Sequence, residues 1–346
     1  MGLKLDDKNA LMEAWGTLLR SDQPAFTGSG MAGSYDSHGV DCPFVFRHHD
    51  RFYMMHVGFD GIGYQTALAV SDDLLTWQHE TVILSRLPDS GRWDHVGAAG
   101  SWILLNSNDI GDFPQLKKMN GRYWMIYHSY PDEGYEAGGA VMGLAWTEDE
   151  SLHEWHRWDE PIFTYEEGDA WERQGLYKCC LLEHEGRFWM LYNAKGGSEW
   201  PWQEETGIAW SEDLFHWHRY EQNPVLPCLE GSFYSQFCSD PYIRHDGERW
   251  LNFGFGFDGI HAQGLLAVSN DLLQWETLEQ PLLPHGSTGS LDEIHAHKSC
   301  VVIWKGIMYH YYCACRPWRQ GDPTSVEVFD GQLEFRCIAV ATGTAL

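Results

Sequence analysis

Short apolar runs separated by turn residues extend along almost the whole chain, and one phrase recurs among them. In this phrase an apolar strand ends in Ser or Thr, followed by an acidic residue or Asn, Asp-Leu, two further residues and Trp. Self-similarity of this kind indicates a repeated structural unit. Three close copies and one looser copy end at Trp77, Trp217, Trp275 and Trp155.

Upstream of each copy lies an aromatic strand after a tight turn, and a fifth such strand follows near the C-terminus. One unit therefore consists of strand, turn, strand, loop, strand, turn and strand, over roughly 45 to 75 residues. Four short antiparallel strands with this period are typical of a β-propeller blade. The pattern predicts an all-β, five-bladed β-propeller with four antiparallel strands per blade, in preference to a β-sandwich with chance similarity.

The chain is interpreted as a single propeller domain over residues 1–346. The last blade has a third strand but no fourth, so we expect the N-terminal segment 1–26 to supply it and close the ring. Residues 8–20 also have the Leu and Trp spacing of a capping helix, and a helix followed by a strand would satisfy both patterns. The predicted blades lie at about 41–84, 112–163, 177–226, 238–283 and 297–346.

The charge balance excludes several classes of partner. The 346 residues include 50 acidic and 23 basic ones, for a formal net charge of -27. Nucleic acids and anionic membrane surfaces both require a basic footprint, so neither is expected to bind. No window approaches the roughly 18 apolar residues of a membrane span, and the N-terminal residues lack a signal-peptide core. The protein is therefore expected to be cytoplasmic, and a homo-oligomer is left open.

The sequence also bears on cofactors. Nine Cys without framework spacing indicate reduced, mostly buried thiols. No Gly-rich phosphate loop accompanies a βαβ pattern, so no organic cofactor is expected to be required. His295 and His297 place two imidazoles on one strand face, which leaves an axial metal as an option. Calcium would prefer oxygen ligands and zinc would prefer nitrogen or sulfur, while plain hydrogen bonding of both histidines is an equally good interpretation.

The first strand of each propeller blade lines the central channel, so residues near its start converge on the axis. Nine residues upstream of the turn before each second strand lie Asp41, Asp112, Tyr177, Cys238 and His297. Asp240 follows Cys238 by two residues, on the same strand face, and Glu172 precedes the third blade. One end of the channel is therefore predicted to gather Asp41, Asp112, Glu172, Asp240 and His297.

These features resemble the five-bladed β-propeller glycoside hydrolases, in the broad sense of families 43, 62, 32, 68, 117 and 130. The resemblance covers nearly the whole chain. It rests on the Ser-x-Asp-Leu-x-x-Trp repeats, on Asp-x-Pro at 41–43 and 112–114, and on the Glu near the third blade. The Trp-Met-Asn-Asp-Pro-type motif of the sucrose- and fructan-cleaving families is absent. The run His-Ala-His-Lys-Ser at 295–299 is more similar to family 117.

The resemblance implies roles for the predicted site residues. Asp41 would be the general base, Asp112 would orient the sugar and tune the acid, and Glu172 or His297 would be the general acid. Asp240 would bind sugar hydroxyls or tune a neighbour. Independently of the resemblance, glycoside cleavage needs one protonated group and one carboxylate on opposite faces of the sugar. In the competing interpretation the Asp residues only form turns before Pro, and Glu172 is only a charged residue of a loop.

Residues that repeat once per blade are interpreted as structural, because a site needs one of each part. This applies to Asp73, Asp213, Asp271 and the repeated Trp. Trp residues outside the repeat are candidates for stacking on sugar rings; these are Trp93, Trp171, Trp200 and Trp202. The other predicted substrate-binding residues are His95 in the long loop 87–110, and Asp240, His295, Lys298 and Arg173.

The combined prediction is an inverting, exo-acting glycoside hydrolase. It would release a small terminal sugar, of arabinofuranose, xylose or anhydro-galactose type, from an oligosaccharide. A glycoside phosphorylase of the family 130 type is one alternative, with Arg173, Lys178 and Lys298 supplying the phosphate site. A non-catalytic carbohydrate-binding propeller is the other.

Overall fold

The computed structural model describes residues 4–197, 199–328 and 331–344, so the predicted domain ends at 1 and 346 lie outside the described residues. Within these ranges a single helix, α1 (Leu5–Gly16), precedes a long series of strands. Asp6 and Asp7 occupy its first turn, where negative charge is favourable. Trp15 packs edge-on against Phe253 at 5.5 Å, so the helix covers the side of the molecule near that residue. No helix in the described ranges has the length and apolar character of a membrane span.

Most strands pair antiparallel with strands close to them in the chain, and they fall into five successive groups, here called sheets. Parallel pairs at Glu204–Phe237 and Gln263–Ala296 join the last three groups by hydrogen bonds. In the first three sheets the order in space follows the order along the chain, apart from the short β8. The first sheet contains β3 (Gly39–His48), β4 (Arg51–Phe59), β5 (Tyr64–Ser71) and β6 (Gln78–Leu84). The second contains β7 (Ala99–Ile103), β8 (Lys118–Met119), β9 (Arg122–Ser129), β10 (Val141–Thr147) and β11 (His156–Arg157). The third contains β12 (Leu176–His184), β13 (Arg187–Lys195), β14 (Glu204–Ser211) and β15 (His218–Arg219).

The last two sheets are less regular. The fourth is built from short strands: β16 (Phe237–Ser239), β17 (Ile243–His245), β18 (Trp250–Asn252), β19 (Phe255–Phe257), β20 (Ala262–Gly264), β21 (Ala267–Ser269) and β22 (Trp275–Thr277). These strands pair in two groups, with β17, β18, β21 and β22 in one and β16, β19 and β20 in the other. The fifth contains β23 (His295–Trp304), β24 (Ile307–Pro317), β25 (Val326–Glu327) and β26 (Leu333–Thr344). Two N-terminal strands, β1 (Leu19–Arg20) and β2 (Phe26–Thr27), pair with β26. A strand from the N-terminal segment therefore does follow the helix.

The recurrent phrase forms the turn between the third and fourth strands of its sheet. In its first copy the Leu74 N–H donates to Ser71 Oγ at 2.9 Å. The N–H groups of Leu75 and Thr76 both donate to Asp73 Oδ1 at 2.8 Å. These bonds hold Leu74 at a positive φ of 63°, and the equivalent Leu214 and Leu272 have φ of 73° and 67°. Asp73 and its counterparts Asp213 and Asp271 are thus turn formers.

The first strands of neighbouring sheets contact one another, namely β23 with β3, β3 with β7, and β7 with β12. Aromatic side chains fill the space between them: Phe44 lies 4.8 Å from Trp102, and Trp102 lies 5.1 Å from Tyr242, as measured between ring centroids. Successive antiparallel sheets with their first strands packed together make a β-propeller-type fold.

The second sheet begins earlier than predicted. Its first strand is β7, not a strand at 112, and a long segment separates β7 from its partner β9. Counting back a fixed distance from the turn at Gly121 therefore reaches this connecting segment, not the strand.

Candidate functional site

A cavity of about 480 Å³ opens where the first strands begin. The strands β3, β12 and β23 each carry a β-bulge at this level, between Asp41 and Phe44, Leu176 and Cys179, and His297 and Cys300. Bulges redirect side chains and are common beside active sites. The bulges here direct Asp41, Lys178 and Lys298 toward the cavity, which all three line.

Asp41 is an ionised carboxylate in a cationic setting. Its side chain is buried, and Lys298 Nζ donates to its Oδ2 at 2.6 Å. Arg336 lies 3.6 Å from the same oxygen, and the N–H of Cys42 donates to Oδ1 at 2.8 Å. Burial alone would raise the pKa of Asp41, but the positive charges of Lys298 and Arg336 outweigh it and hold the pKa well below the usual range.

Glu204 has the opposite setting. Burial, followed by the negative charge of Glu136, raises the pKa of Glu204 to about 7. Trp202 Nε1 donates to Glu204 Oε1 at 2.9 Å, and Asn193 Nδ2 donates to Oε2 at 3.1 Å. The backbone N–H of Glu204 donates to the Gln236 carbonyl at 3.1 Å, where β14 meets β16 of the next sheet. Glu204 is thus a fixed carboxyl that is partly protonated at neutral pH.

Two further carboxylates adjoin Glu204 in the cavity wall. Asp240, held at a φ of 50°, accepts from Asn193 Nδ2 at 3.3 Å. Ser239 Oγ lies 3.3 Å from both Glu204 and Asp240. Burial raises the pKa of Glu136, whose carboxylate lies 4.0 Å from Lys298 Nζ. Clustered carboxyls push each other's pKa values apart, which suits an acid–base pair.

The remaining charges differ in how they are paired. Arg336 Nε donates to Glu334 Oε2 at 2.9 Å, and the other Glu334 oxygen lies 3.5 Å from His295 Nε2. Burial would raise the pKa of Glu334, but Arg336 brings it down to about 2. Lys178 is also buried, yet its Nζ has no hydrogen-bond partner among the described residues.

Six of the predicted site residues line this cavity, namely Asp41, Trp200, Asp240, His295, His297 and Lys298. His297 is buried, with Nδ1 3.1 Å from the Cys313 carbonyl oxygen. Burial and the charge of Lys298 lower the pKa of His297 well below its usual value, so the ring is neutral at pH 7 and a poor general acid. Trp200 lines the cavity mouth and is 41% exposed.

Asp112 lies elsewhere, which corrects the prediction that it joins the channel cluster. It is exposed in the segment between β7 and β8, where its carboxylate accepts from Ser107 Oγ at 2.7 Å. The residue at the bulge of β7 is instead Ser101, whose Oγ lies 3.2 Å from Nδ1 of His128, a cavity residue.

Glu172 is also outside the cavity, and its contacts explain why. It is buried between Arg219, whose Nε donates at 2.8 Å, and Tyr192, whose hydroxyl donates at 3.0 Å. The same grouping of carboxylate, tyrosine and arginine, here called a clamp, occurs in two other sheets. Asp94 binds Tyr127 and Arg157, and Asp292 binds Tyr312 and Arg20. A carboxylate repeated from sheet to sheet is interpreted as structural, so Glu172 groups with the clamps and not with the cavity residues.

The loop residues predicted beside these carboxylates also serve packing. Trp93 stacks on Tyr127 with an interplanar angle of 9°, and Trp171 stacks on Tyr192 at 29°. His95 Nδ1 lies 2.8 Å from the Arg92 carbonyl, and Arg173 Nε donates to the Gly168 carbonyl at 2.7 Å. None of the four is among the described residues that line the cavity.

Sequence reasoning missed Glu204, Glu136, Glu334 and Arg336. A signal for Glu204 exists: aligning the third strands on Ser71, Thr147, Ser211 and Ser269 places it where the other copies carry Tyr64, Ala140 and Ala262. A carboxylate at one copy of a repeated position marks a departure from the structural pattern. Glu136 and Arg336 lie outside any repeated phrase, so only the folded chain brings them to the cavity.

Among the described residues, two groups of side chains have ligand atoms close enough to hold one metal ion. His297, Cys313 and Cys315 form a wholly buried group in the fifth sheet. His48, His49 and Glu150 form a group in which His49 and Glu150 are exposed.

Comparisons with known proteins agree with this architecture. The model of the glycosyl hydrolases family 32 N-terminal domain matches residues 95–296. The raffinose invertase of Escherichia coli is 24% identical over 201 residues, 56% of this chain but only 38% of the invertase. The chain therefore spans much less than the full length of that curated relative.

Solved structures match over nearly the whole chain. BT0996, solved in a complex with RGII, is 29% identical with a TM-score of 0.80, over 99% of this chain and 96% of that protein. A family 117 glycoside hydrolase of the marine bacterium Zobellia galactanivorans is 12% identical with a TM-score of 0.63, over 95% and 90%. The second likeness concerns the fold alone.

Proposed function

This chain belongs to the family of the glycosyl hydrolases family 32 N-terminal domain, and from that premise we propose that it hydrolyses glycosidic bonds in oligosaccharides. Asp41 is the general base and Glu204 the general acid. The observation that carries the proposal is that the pKa values of two carboxyls in one cavity are shifted in opposite directions. Lys298 keeps Asp41 ionised, whereas burial raises the pKa of Glu204 to about 7, so that a large fraction of Glu204 carries a proton near neutral pH.

The proposed reaction proceeds with inversion. Glu204 donates its proton to the glycosidic oxygen as the bond from that oxygen to the anomeric carbon breaks. Asp41 takes a proton from a water molecule, whose oxygen attacks the anomeric carbon from the opposite face. Lys298 and Arg336 keep Asp41 anionic until that transfer, while the buried position of Glu204 stabilises its neutral form.

The shape of the site favours exo action on a terminal sugar. A concave pocket of about 480 Å³ suits the end of an oligosaccharide more than the middle of a long polymer. Glu136, Asp240 and Asn193 offer acceptors and donors for sugar hydroxyls, and Trp200 and Phe257 at the mouth offer flat apolar faces for the next residue. We retain a small terminal sugar of arabinofuranose, xylose or anhydro-galactose type as the proposed substrate.

The phosphorylase alternative is supported by one observation. Lys178 is a buried cation in the cavity wall whose Nζ lacks a hydrogen-bond partner among the described residues, so a bound phosphate would satisfy it. Lys298 already pairs with Asp41, and Arg173 bonds outside the cavity. Phosphate-dependent release of a sugar phosphate would favour this alternative, and phosphate-independent release of free sugar would exclude it.

The proposal includes five blades closed by the N-terminal segment in one domain. Support comes from the clamps, in which Arg157, Arg219 and Arg20 lie on the last strand of their sheets. Each arginine is directly opposite an alanine of the preceding strand, namely Ala145, Ala209 and Ala341. Arg20 thus takes, from the N-terminal segment, the place that Arg157 and Arg219 take within their own sheets.

The first experiment is a screen of natural and aryl glycosides with proton NMR of the released sugar. Release by the wild-type protein that disappears in Asp41→Asn, with inverted anomeric configuration, is the expected result. Binding without turnover, equal in wild type and Asp41→Asn, would instead establish a carbohydrate-binding propeller. Retained configuration would reject the inverting mechanism but leave hydrolysis in place.

A further inference from the structure

The fifth sheet carries a patch of metal-ligating residues that the hydrolytic mechanism does not use. Its strand β23 contains His295-Ala-His297 and its neighbour β24 contains Cys313-Ala-Cys315. In the register of the two strands His297 is opposite Cys313 and His295 is opposite Cys315. Because side chains alternate between the faces of a sheet, all four project from the same face.

The spacing of this patch suits a tetrahedral ion. Cys313 Sγ and Cys315 Sγ lie 3.8 Å apart, and both thiols are free. Two sulfur ligands of a tetrahedral zinc ion, each at 2.3 Å from the metal, are also about 3.8 Å apart. One ring nitrogen of His297 completes a set of three ligand atoms that all lie within 4.8 Å of one another.

The surroundings already orient the histidine. His297 Nδ1 lies 3.1 Å from the carbonyl oxygen of Cys313, so the ring is held against the strand that carries both sulfurs. A hydrogen bond from a ring nitrogen to a backbone carbonyl is the usual support of a metal-bound imidazole. All three residues are buried, which protects thiolate ligands from solvent.

We propose that His297, Cys313 and Cys315 form a binding site for a soft divalent cation of the zinc type. Binding replaces the two thiol protons, which leave as the two metal–sulfur bonds form. The two thiolates then balance the charge of the ion, so the site gains no net charge beside Arg336 and Lys298. Nitrogen and sulfur ligands select zinc over calcium or magnesium, which require oxygen.

The test is metal titration of the full chain, kept reduced and freed of metal by a chelator. With cobalt(II) as the probe, we expect one equivalent to bind and to produce a sulfur-to-cobalt charge-transfer band, which zinc then bleaches by displacement. Cys313→Ala and Cys315→Ala should each lower zinc affinity by more than about 100-fold, since even outer-shell partners cost roughly 10- to 100-fold. Zinc should raise the unfolding temperature of the wild type and not of these variants.

Cys337→Ala is the matched control, because Cys337 is buried on the adjacent strand β26 but lies opposite Ala314, on the other face. It should keep the cobalt band. A cooperative unfolding transition, measured for each metal-free variant, establishes that the variant is folded. A variant that lacks this transition is replaced by the corresponding Ser substitution. Absence of the band in the wild type, or its survival in both Cys313 and Cys315 variants, would overturn the proposal. Asp41→Asn should keep the band, so loss of hydrolysis and loss of metal binding are separable.

Discussion

The buried carboxylates of this protein occupy two kinds of setting. Asp94, Glu172 and Asp292 sit in the clamps, each bonded to a tyrosine and to an arginine of the last strand of its sheet. Asp94 also binds a second arginine, Arg92. Asp41 and Glu204 sit in the cavity, and their settings differ from each other: one faces cations, and the other faces carboxyls and apolar surface. The comparison teaches that repetition marks a structural carboxylate, while a departure from the repeat marks a chemical one.

The largest effect should come from the proposed base. Asp41→Asn keeps the size of the side chain but removes the group that activates water, so kcat should fall by about 10⁴-fold. Asp112→Asn, an exposed change in the segment between β7 and β8, should leave kcat within about twofold of wild type. Steady-state kinetics on the best substrate of the screen measure both. Equal losses in the two variants would contradict the assignment of Asp41.

The proposed acid has a more selective signature. Glu204→Gln should lower kcat by about 10³-fold on a natural glycoside, whose leaving oxygen needs a proton. On an aryl glycoside with an acidic phenol as leaving group the loss should be within about tenfold, because that oxygen departs unprotonated. The ratio of the two losses is the measurement. A similar large loss on both substrates would assign Glu204 a positioning role instead.

Removal of a clamp carboxylate should lower the stability of the protein and leave its activity nearly unchanged. Glu172→Ala leaves the partly buried Arg219 without its carboxylate, and the free energy of unfolding should fall by about 3 kcal/mol. The folded variant should keep its kcat within a few-fold, because Glu172 does not line the cavity. Urea unfolding gives the free energy of unfolding, and steady-state kinetics well below the unfolding temperature give kcat. A stable but inactive Glu172→Ala would return Glu172 to the catalytic site.

The N-terminal clamp tests whether the segment completes the last sheet. Arg20→Ala removes the charged donor from the buried Asp292, which still accepts from Tyr312. The free energy of unfolding should fall by about 2 kcal/mol, the scale of a hydrogen bond to a charged group. Arg219→Ala is the matched control in the third sheet, because it leaves Glu172 with its tyrosine partner Tyr192. If Arg20→Ala has no effect while Arg219→Ala does, the segment is not an integral part of the fold.

Much of the fold could be predicted from the sequence because the repeat encodes local bonds. Ser71, Asp73 and Leu74 form a turn through contacts within a few residues, so the phrase is recognisable wherever it recurs. The site was harder to predict, because its residues lie far apart along the chain. Asp41 lies at a strand position that counting from the turn reaches correctly, whereas the long segment after β7 breaks the same count for Asp112.

Glu172 was misplaced for a different reason. Its partners, Tyr192 and Arg219, lie 20 and 47 residues further along the chain, and no short motif announces the clamp. Glu204 shows the reverse case, since its residue type departs from the aligned copies but its raised pKa depends on its burial and then on the nearness of Glu136 in space. The proton on Glu204 is therefore a property of the folded chain alone.

The smallest predicted effect is a pH dependence that follows from that proton. Glu204 acts in its protonated form, and its pKa is raised to about 7. As the pH rises above about 7 the protonated fraction falls, so kcat/KM should decline roughly tenfold per pH unit. The base does not limit activity on this side, because the pKa of Asp41 lies well below its usual range and Asp41 stays ionised throughout. In Glu204→Gln the basic limb should disappear, measured on the aryl glycoside. A limb that persists unchanged in this variant would show that another group supplies the proton, and Glu136, whose pKa burial also raises, would be the next to replace.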